Sequence, residues 1–184
     1  MLQKIILIFF FILSFIKPLH SSNKEKIINK LININNIAFN FKQTIDEKTE
    51  KGNCIIEYPK KIFCRYNTPN KKILVSNGKS FVIKTKSSFY RYSIKRTPLN
   101  YILDKEFLIN EIGFLSERVI DNKFINFTIL KNENEINVFF DKDNYNLIGW
   151  QTLDIYQNLS ITFLTSIKKN ILIEKNFFKL PSTN

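Results

Sequence analysis

Apolar and polar residues alternate along most of the chain after about residue 36, which is the period of a β-strand with one buried face. Phe39 and Phe41, for example, alternate with polar neighbours. Runs of strand length recur at residues 54–58, 62–66, 73–76, 79–84, 88–94, 118–130, 135–140, 146–156, 159–167 and 171–173. Short turn segments separate these runs, and Asn77-Gly78 predicts a type I′ hairpin. The pattern predicts a mainly β, antiparallel meander.

Two segments have the helical period instead. The first follows the cap-type residues Ser21 and Ser22. Its apolar residues at near-helical spacing are Ile27, Ile28, Leu31, Ile32 and Ile34. In the second segment, Thr97 stands at an N-cap position and Pro98 at the first helical position. Its apolar face would consist of Leu99, Ile102 and Leu103. We expect the first helix to open the domain and the second to pack across the sheet.

The first 22 residues are typical of a secretory signal peptide. Lys4 supplies the positive charge, residues 5–16 form an almost unbroken apolar run, and Pro18 ends any helix before a short polar stretch. An apolar run of about twelve residues is short for a bilayer span, although an uncleaved membrane anchor is the alternative. We therefore expect cleavage after Ser21 or Ser22. Residues 23–184 would then form one exported domain.

Composition and charge narrow the classes of function. The chain of 184 residues carries a net charge of +12 and contains 18 Phe. So many aromatic residues indicate an aromatic β core or a large apolar binding surface, although a biased genome composition would also give them. Loss of Lys4 and Lys17 with the signal peptide would leave a net charge of about +10. The lysines are spread along the whole chain, which argues against nucleic acid as a partner.

Candidate chemistry is scarce in the exported part of the chain. The only histidine is His20, which lies in the segment to be removed. A chain without histidine cannot use a Ser-His-Asp or Cys-His mechanism or build the usual histidine-based zinc site. The sequence also lacks a P-loop, a G-x-G-x-x-G loop and an H-E-x-x-H helix. We expect no enzyme activity, no metal and no cofactor.

The two cysteines flank a predicted turn. Cys54 and Cys64 would face each other on neighbouring strands around Pro59, which makes a disulfide feasible. Export would permit that bond. Two buried free thiols are the alternative, and the spacing leaves the choice open.

A series of short motifs resembles the periplasmic outer-membrane lipoprotein carrier family, LolA. The motifs are Phe39-Asn40-Phe41-Lys42-Gln43-Thr44, Gly52, Pro59, Arg65-Tyr66 with Pro69, Ile73-Leu74-Val75-Ser76-Asn77-Gly78, Thr97-Pro98-Leu99 through Leu103, Gly149-Trp150-Gln151 through Asp154, and Asn176-Phe177-Phe178-Lys179-Leu180-Pro181. Each motif is weakly specific by itself, but their order and spacing cover nearly all of residues 23–184.

The resemblance implies an incomplete antiparallel β-barrel with an N-terminal helix and short lid helices over an apolar cavity. Proteins of this kind take an acylated lipoprotein from an inner-membrane ABC-type release complex and pass it to an outer-membrane acceptor. On this basis we expect a monomeric periplasmic carrier. Two positions depart from the family pattern: Tyr58 stands where some members have a lid-holding Arg, and Asn77 replaces the usual Asp. The first departure puts the lid-closing hydrogen bonds in question.

Alternation assigns a set of candidate lipid-binding residues to the concave face and to the lid helix. The set is Phe41, Ile56, Tyr58, Ile62, Tyr66, Leu99, Ile102, Leu103 and Trp150. Each of them would serve equally well as an ordinary core residue. Two other functions remain open: a binding protein for another hydrophobic ligand, such as a lipid or glycolipid, and a secreted structural β-sandwich with a filled core.

Overall fold

The computed structural model describes residues 21–154 and 157–183. Residues 1–20 of the predicted signal peptide, which covers residues 1–22, lie outside the described residues. Within the described part, the chain forms eleven strands, three α-helices and one 3₁₀ helix. The helices are α1 (Asn23–Ile32), the 3₁₀ helix (Ile94–Arg96), α2 (Leu99–Ile102) and α3 (Lys105–Phe114). The strands are β1 (Asn36–Ile45), β2 (Lys48–Glu57), β3 (Lys61–Tyr66), β4 (Ile73–Asn77), β5 (Ser80–Lys84), β6 (Phe89–Ser93), β7 (Arg118–Ile120), β8 (Phe124–Lys131), β9 (Asn134–Asp141), β10 (Leu147–Leu153) and β11 (Leu159–Lys169).

All eleven strands form one antiparallel sheet in the order β6-β5-β4-β3-β2-β1-β11-β10-β9-β8-β7. The sheet consists of two meanders, β2 to β6 and β7 to β11, which β1 joins by pairing with β2 and β11. The sheet is open, because β6 and β7 form its two edges. The prediction of a mainly β fold built on an antiparallel sheet that does not close into a barrel is confirmed.

Alternation along the strands determines which face of the sheet is buried. In β1 the side chains of Phe39 and Phe41 are 3% and 5% exposed, whereas Asn40 and Lys42, which alternate with them, are exposed. The same period continues in β8 and β9, where Phe127 and Phe140 are fully buried. The face that contains these buried residues is called the inner face below. The core lies between this inner face and the three α-helices.

The N-terminal helix begins where the sequence predicts it. Ser22 is the N-cap of α1: its Oγ accepts from the Glu25 backbone N–H, and the Glu25 carboxylate accepts from the Ser22 N–H. This capping box satisfies two backbone donors that would otherwise lack partners. Ile27 and Leu31, four residues apart, face the core and are 0% and 2% exposed. Cleavage after Ser21 would retain the cap of α1, whereas cleavage after Ser22 would remove it.

The structure corrects four local predictions. Residues 118–130 are not one strand, because Asp121 and Asn122 both have positive φ and form a turn between β7 and β8. Asn77-Gly78 does connect a hairpin, but only Gly78 has positive φ, so the turn is not type I′. Thr97 does not cap α2 with its side chain, which donates instead to the Ile94 carbonyl. Residues 171–173 form no strand.

A second apolar cluster lies on the outer face of the sheet. Phe63, Val75 and Val82 are paired in register across β3, β4 and β5. The C-terminal segment covers them: the ring of Phe177 lies 5.2 Å from that of Phe63, and Lys84 Nζ donates to the Ser182 carbonyl at 2.8 Å. The C-terminal residues therefore bury apolar surface on the side of the sheet that faces away from the helices.

Two glycines in strands each lie between two aromatic residues on the neighbouring strands, and the two aromatic rings contact each other across the glycine. Gly52 lies between Phe41 and Tyr66 in the register of β1, β2 and β3, and the two rings meet on the inner face with centroids 4.9 Å apart. Gly149 lies between Phe139 and Phe163, whose rings are stacked at 6.1 Å. A side chain at either glycine would occupy the space that the rings need.

Gly52→Ala should destabilise the fold. A Cβ atom at residue 52 would lie 2.2 Å from the Arg65 carbonyl oxygen and 2.8 Å from the Phe41 ring. We expect a loss of about 1–3 kcal/mol in the free energy of unfolding, measured by urea denaturation. Gly113→Ala is the control, because nothing lies within 4 Å of a Cβ atom there and the residue is helical. It should stabilise the protein by about 0.5–1 kcal/mol. Equal stability of wild type and Gly52→Ala would contradict the packing described here.

Candidate ligand cavity

A partly open, mainly apolar cavity lies between the inner face of the sheet and the start of α2. Its volume is about 200 Å³. The lining residues are Gln43, Ile45, Tyr66, Lys72, Leu74, Phe81, Ile83, Thr97, Pro98, Leu99, Trp150, Thr152, Leu153, Asp154 and Ser160. This space is called the ligand cavity below.

The lining draws on both meanders of the sheet. Phe81 on β5 and Trp150 on β10 line the same cavity, although six strand-to-strand steps separate them in the sheet order. Six steps at the usual strand spacing correspond to about 29 Å along the sheet. The two meanders therefore face each other across the cavity, and Thr97, Pro98 and Leu99 cover the gap between them.

One wall of the cavity is polar. Tyr66 Oη donates to Gln43 Oε1 at 3.0 Å, and Gln43 Nε2 donates to Ser160 Oγ at 3.2 Å and Thr162 Oγ1 at 3.3 Å. These four residues, called the polar strip, run from β3 across β1 to β11. Tyr66, Ser160 and Thr162 are 3–6% exposed. The Ser160 hydroxyl accepts from Gln43, so its own proton is available for an acceptor inside the cavity.

Burial keeps Tyr66 of the ligand cavity and Tyr58 of the neighbouring core in their neutral forms. Burial raises the pKa of Tyr58, and burial together with the Glu50 carboxylate raises the pKa of Tyr66. Lys72 ion-pairs with Glu50 at 2.5 Å, and its Nζ lies 4.0 Å from the centroid of the Tyr66 ring. The phenol of Tyr66 therefore remains a hydrogen-bond donor to Gln43 over the physiological pH range.

The predicted lipid-binding residues divide into two groups. Tyr66, Leu99 and Trp150 line the ligand cavity. The others do not line this cavity and pack in the core: Phe41, Ile56, Tyr58, Ile62, Ile102 and Leu103. Tyr58 is half-buried, and the other five side chains are 5% exposed or less. The assignment of all nine residues as lipid contacts stays a prediction.

Sequence reasoning missed the polar part of the cavity. It selected apolar residues at inward positions, whereas Gln43, Thr152, Ser160 and Thr162 are polar residues at inward positions of their strands. The sequence signal for these residues is that each polar residue stands at a position where strand alternation predicts a buried side chain. Gln43, Thr152 and Ser160 line the ligand cavity, and Thr162 lies beside it as a hydrogen-bond partner of Gln43.

Residues 97–114, called the lid, are tied to the sheet by a small number of polar contacts. The Lys60 N–H donates to the Leu103 carbonyl at 2.7 Å, and Lys60 Nζ lies 3.1 Å from Asp104 Oδ2. On the other side, Asn132 Nδ2 donates to Tyr101 Oη at 2.8 Å. The ring of Tyr58 packs against the core, and the polar contacts to the lid come from Lys60, two residues further along the β2–β3 turn.

Asp104 also shapes the lid itself. Its carboxylate accepts from the Phe107 N–H and so caps α3, a helix that the sequence analysis did not identify. Leu108 and Ile112 of α3 are fully buried in the core. Asp104 preceding a run with Leu and Ile at i and i+4 is the sequence signal for this helix.

The remaining candidate chemistry of the described residues is limited. Cys54 and Cys64 lie directly opposite each other on β2 and β3 and are joined by a disulfide. Within residues 21–154 and 157–183 no group of three or more His, Cys, Asp or Glu side chains is placed to hold a metal ion. No helix of the same residues is long and apolar enough to cross a membrane.

Comparison with known families identifies the relationship of the chain. The family described as "Outer membrane lipoprotein carrier protein LolA" matches residues 33–181, which is more than half of the chain. The chain belongs to the LolA family. The match extends from the end of α1 to the C-terminal segment on the outer face, so it includes the whole sheet and the lid. No curated protein sequence matches the chain.

Solved structures with a similar fold are distant in sequence. A LolA superfamily protein from Nitrosomonas europaea is 10% identical with a TM-score of 0.41, and the alignment covers 86% of this chain and 99% of that one. A DUF1329 family protein from Desulfovibrio piger is 6% identical with a TM-score of 0.45 over 85% and 95% of the two chains. The lipoprotein LppX of Mycobacterium tuberculosis is 11% identical with a TM-score of 0.42 over 83% and 96%.

The raised pKa of Tyr66 predicts how stability depends on alkaline pH. An unfolded tyrosine ionises near pH 10, so the contribution of Tyr66 is fully present below about pH 10 and is lost as pH rises further. Tyr66→Phe should therefore lose less stability than wild type between about pH 9 and pH 11 in urea denaturation. Tyr90→Phe, at an exposed position, should keep the wild-type pH dependence. The same pH dependence in Tyr66→Phe and wild type would contradict this assignment.

Proposed function

We propose that the protein is an exported, periplasmic carrier that shields the acyl chains of lipoproteins in the ligand cavity and carries out no covalent chemistry. After removal of residues 1–22, it would receive acylated lipoproteins from an inner-membrane ABC-type release complex. It would deliver them to an outer-membrane acceptor and would work as a monomer. Membership of the LolA family supports this proposal.

The observation that carries the proposal is the apolar cavity beneath the lid. Leu74, Phe81, Ile83, Leu99 and Trp150 all line this cavity with apolar side chains. Burial of an acyl chain is worth about 0.8 kcal/mol per CH₂ group, so an acyl chain released from a membrane needs an apolar site to remain in water. A structural sandwich with a filled core would have no use for this space.

The size of the cavity implies that binding requires movement. Its 200 Å³ is below the range of about 300–1,000 Å³ that is usual for small-molecule sites. Acyl chains would therefore enter only as the lid moves away from the inner face. The Lys60–Asp104 and Lys131–Glu111 ion pairs and the Asn132–Tyr101 hydrogen bond are partly exposed and cost little to break. The main cost of opening is the exposure of Ile102, Leu103, Leu108 and Ile112, which a bound acyl chain would offset.

The polar strip supports a cargo that has a hydrogen-bond acceptor next to its acyl chain. The ester and amide carbonyls of an acylated N-terminal cysteine provide such acceptors. Ser160 lines the cavity and can donate its hydroxyl proton to a carbonyl while it accepts from Gln43. A purely hydrocarbon ligand would leave this proton without an acceptor, which is unfavourable for a buried group.

A second candidate function is transport of a single-chain lipid. The small volume of the ligand cavity favours it, because one acyl chain needs less opening of the lid than three. The two functions differ in ligand preference. A lipoprotein carrier should bind a triacylated peptide more tightly than a monoacylated one, whereas a single-chain lipid carrier should show the reverse preference.

Filling the cavity should weaken acyl binding. Ile83 lines the ligand cavity, so Ile83→Trp should lower the affinity for a fluorescent triacylated lipopeptide by about tenfold or more. Thr165→Trp places the same side chain at an exposed position of β11 and should bind like wild type. Fluorescence anisotropy measures both affinities, and circular dichroism checks that both variants are folded.

Two results would contradict the carrier function. One is binding of the deacylated peptide as tightly as the triacylated peptide. The other is equal binding by wild type and Ile83→Trp. Either would show that the apolar cavity does not take up the acyl chains.

Weakening the contact between the lid and the β2–β3 turn should speed up ligand exchange. Lys60→Met removes the ion pair with Asp104 but keeps the backbone bond to Leu103. We expect uptake and release of the lipopeptide to accelerate about two- to fivefold in stopped-flow fluorescence. Lys61→Met is the control, because Lys61 pairs with Glu57 within the same hairpin. Unchanged rates in Lys60→Met, or equal acceleration in both variants, would show that this contact does not hold the lid.

A further inference from the structure

A group of half-buried lysines lies at the opposite end of β1 from the ligand cavity. Lys26 and Lys30 on α1 and Lys169 at the end of β11, here called the lysine cluster, line one open depression together with Asn29, Asn33 and Ile34. Ile37 pairs with Lys169, whereas the cavity residue Ile45 pairs with Ser160. The cluster and the ligand cavity are thus separated by about 27 Å along the strand.

Neutral groups hold two of the three ammonium groups in place. Lys26 Nζ donates to Tyr145 Oη at 3.2 Å and lies 5.1 Å from the centroid of the same ring. Lys169 Nζ donates to Asn146 Oδ1 at 2.5 Å. Both acceptors belong to the loop between β9 and β10. They fix the positions of the lysines without neutralising their charge.

The positive charges of the cluster are not compensated by the described residues that line it. These are three lysines, two asparagines and one isoleucine, with no carboxylate among them. Burial and the neighbouring Lys30 ammonium lower the pKa of Lys169. Like charges held together in this way repel each other, and a bound anion would relieve the repulsion.

Capping of α1 does not account for the cluster. Lysines near a helix C-terminus often interact with its last carbonyl groups. Here three of the last four carbonyls of α1 have other donors: Asn33 Nδ2 donates to the Asn29 carbonyl, the Ile34 N–H to the Leu31 carbonyl, and Lys105 Nζ to the Ile32 carbonyl. The ammonium groups of the lysine cluster are therefore available to a ligand.

We propose that the lysine cluster binds a phosphate group, either as free phosphate or as the headgroup of a phospholipid. A phosphate offers several acceptor oxygens on one compact anion, and lysine ammonium groups bind it as point charges. The exposed Asn29 carboxamide adds a neutral donor beside them. This proposal does not depend on the carrier function, because the cluster and the ligand cavity share no residue.

The test compares two triple variants of the exported protein that lose the same charge. In the first, Lys26, Lys30 and Lys169 are each replaced by Gln. In the control, the exposed Lys42, Lys51 and Lys95 are each replaced by Gln. Binding of inorganic phosphate is followed by NMR chemical shifts. Binding to phosphatidylcholine vesicles with and without phosphatidylglycerol is followed by co-sedimentation, and thermal unfolding checks that the variants are folded.

We expect the cluster variant to lose about tenfold or more in affinity in at least one arm, while the control changes little. Loss in the inorganic phosphate arm identifies a site for free phosphate, and loss confined to anionic vesicles identifies a headgroup site. Equal losses in the two variants, or no saturable binding by wild type in either arm, would overturn the proposal. If the triple variant does not fold, Lys30→Gln against Lys42→Gln gives the same comparison.

Discussion

The pairing of β1 with β11 is the interaction on which the rest of the structure depends. It joins residues 37–45 to residues 160–169 and is the one strand pairing through which the two meanders are connected in the described sheet. Because side chains alternate between faces, a shift of this register by one residue would move Phe39, Phe41 and Gln43 to the wrong side of the sheet. In the observed register, Gln43 links the two meanders by hydrogen bonds: it accepts from Tyr66 of one meander and donates to Ser160 and Thr162 of the other. The cavity exists only while this pairing holds the meanders around it.

A carrier of this kind has to balance a stable core against an interior that can open. Most of the inner face is filled by the protein's own side chains, including the fully buried Ile102, Leu103, Leu108 and Ile112 of the lid. The remaining cavity lies at the start of α2, where Thr97, Pro98 and Leu99 contribute to its lining. The contacts between the lid and the rim of the sheet are polar and partly exposed, so water can replace them at little cost. Displacement of the lid exposes its apolar residues, and an acyl chain that fills the vacated space would compensate for that exposure.

Much of the fold could be predicted from the sequence, because burial on one face produces a period that is visible without the structure. The inward positions of Phe41, Ile56 and Tyr66 and the apolar face of α1 follow from that period. Helix α3 has a weak helical pattern, because apolar residues occur outside the buried positions Leu108 and Ile112, as Phe114 does with 92% exposure. The turn between β7 and β8 does have a sequence signal, because Asp and Asn adopt positive φ more readily than other non-glycine residues and the polar residues Asp121-Asn122-Lys123 interrupt the apolar positions. The polar strip and the Lys60–Asp104 contact join residues far apart in the sequence, and only the sheet order brings them together.

The most direct test of the account is to find where a bound acyl chain lies. A lipopeptide whose acyl chain carries a photoreactive diazirine can be bound to the exported protein, irradiated and mapped by mass spectrometry of the digested adducts. We expect adducts on residues that line the ligand cavity, in β3 to β5, at residues 97–99 and in β10. Adducts confined to the outer face, for example around Phe139 and Phe163, or no adducts at all, would contradict it.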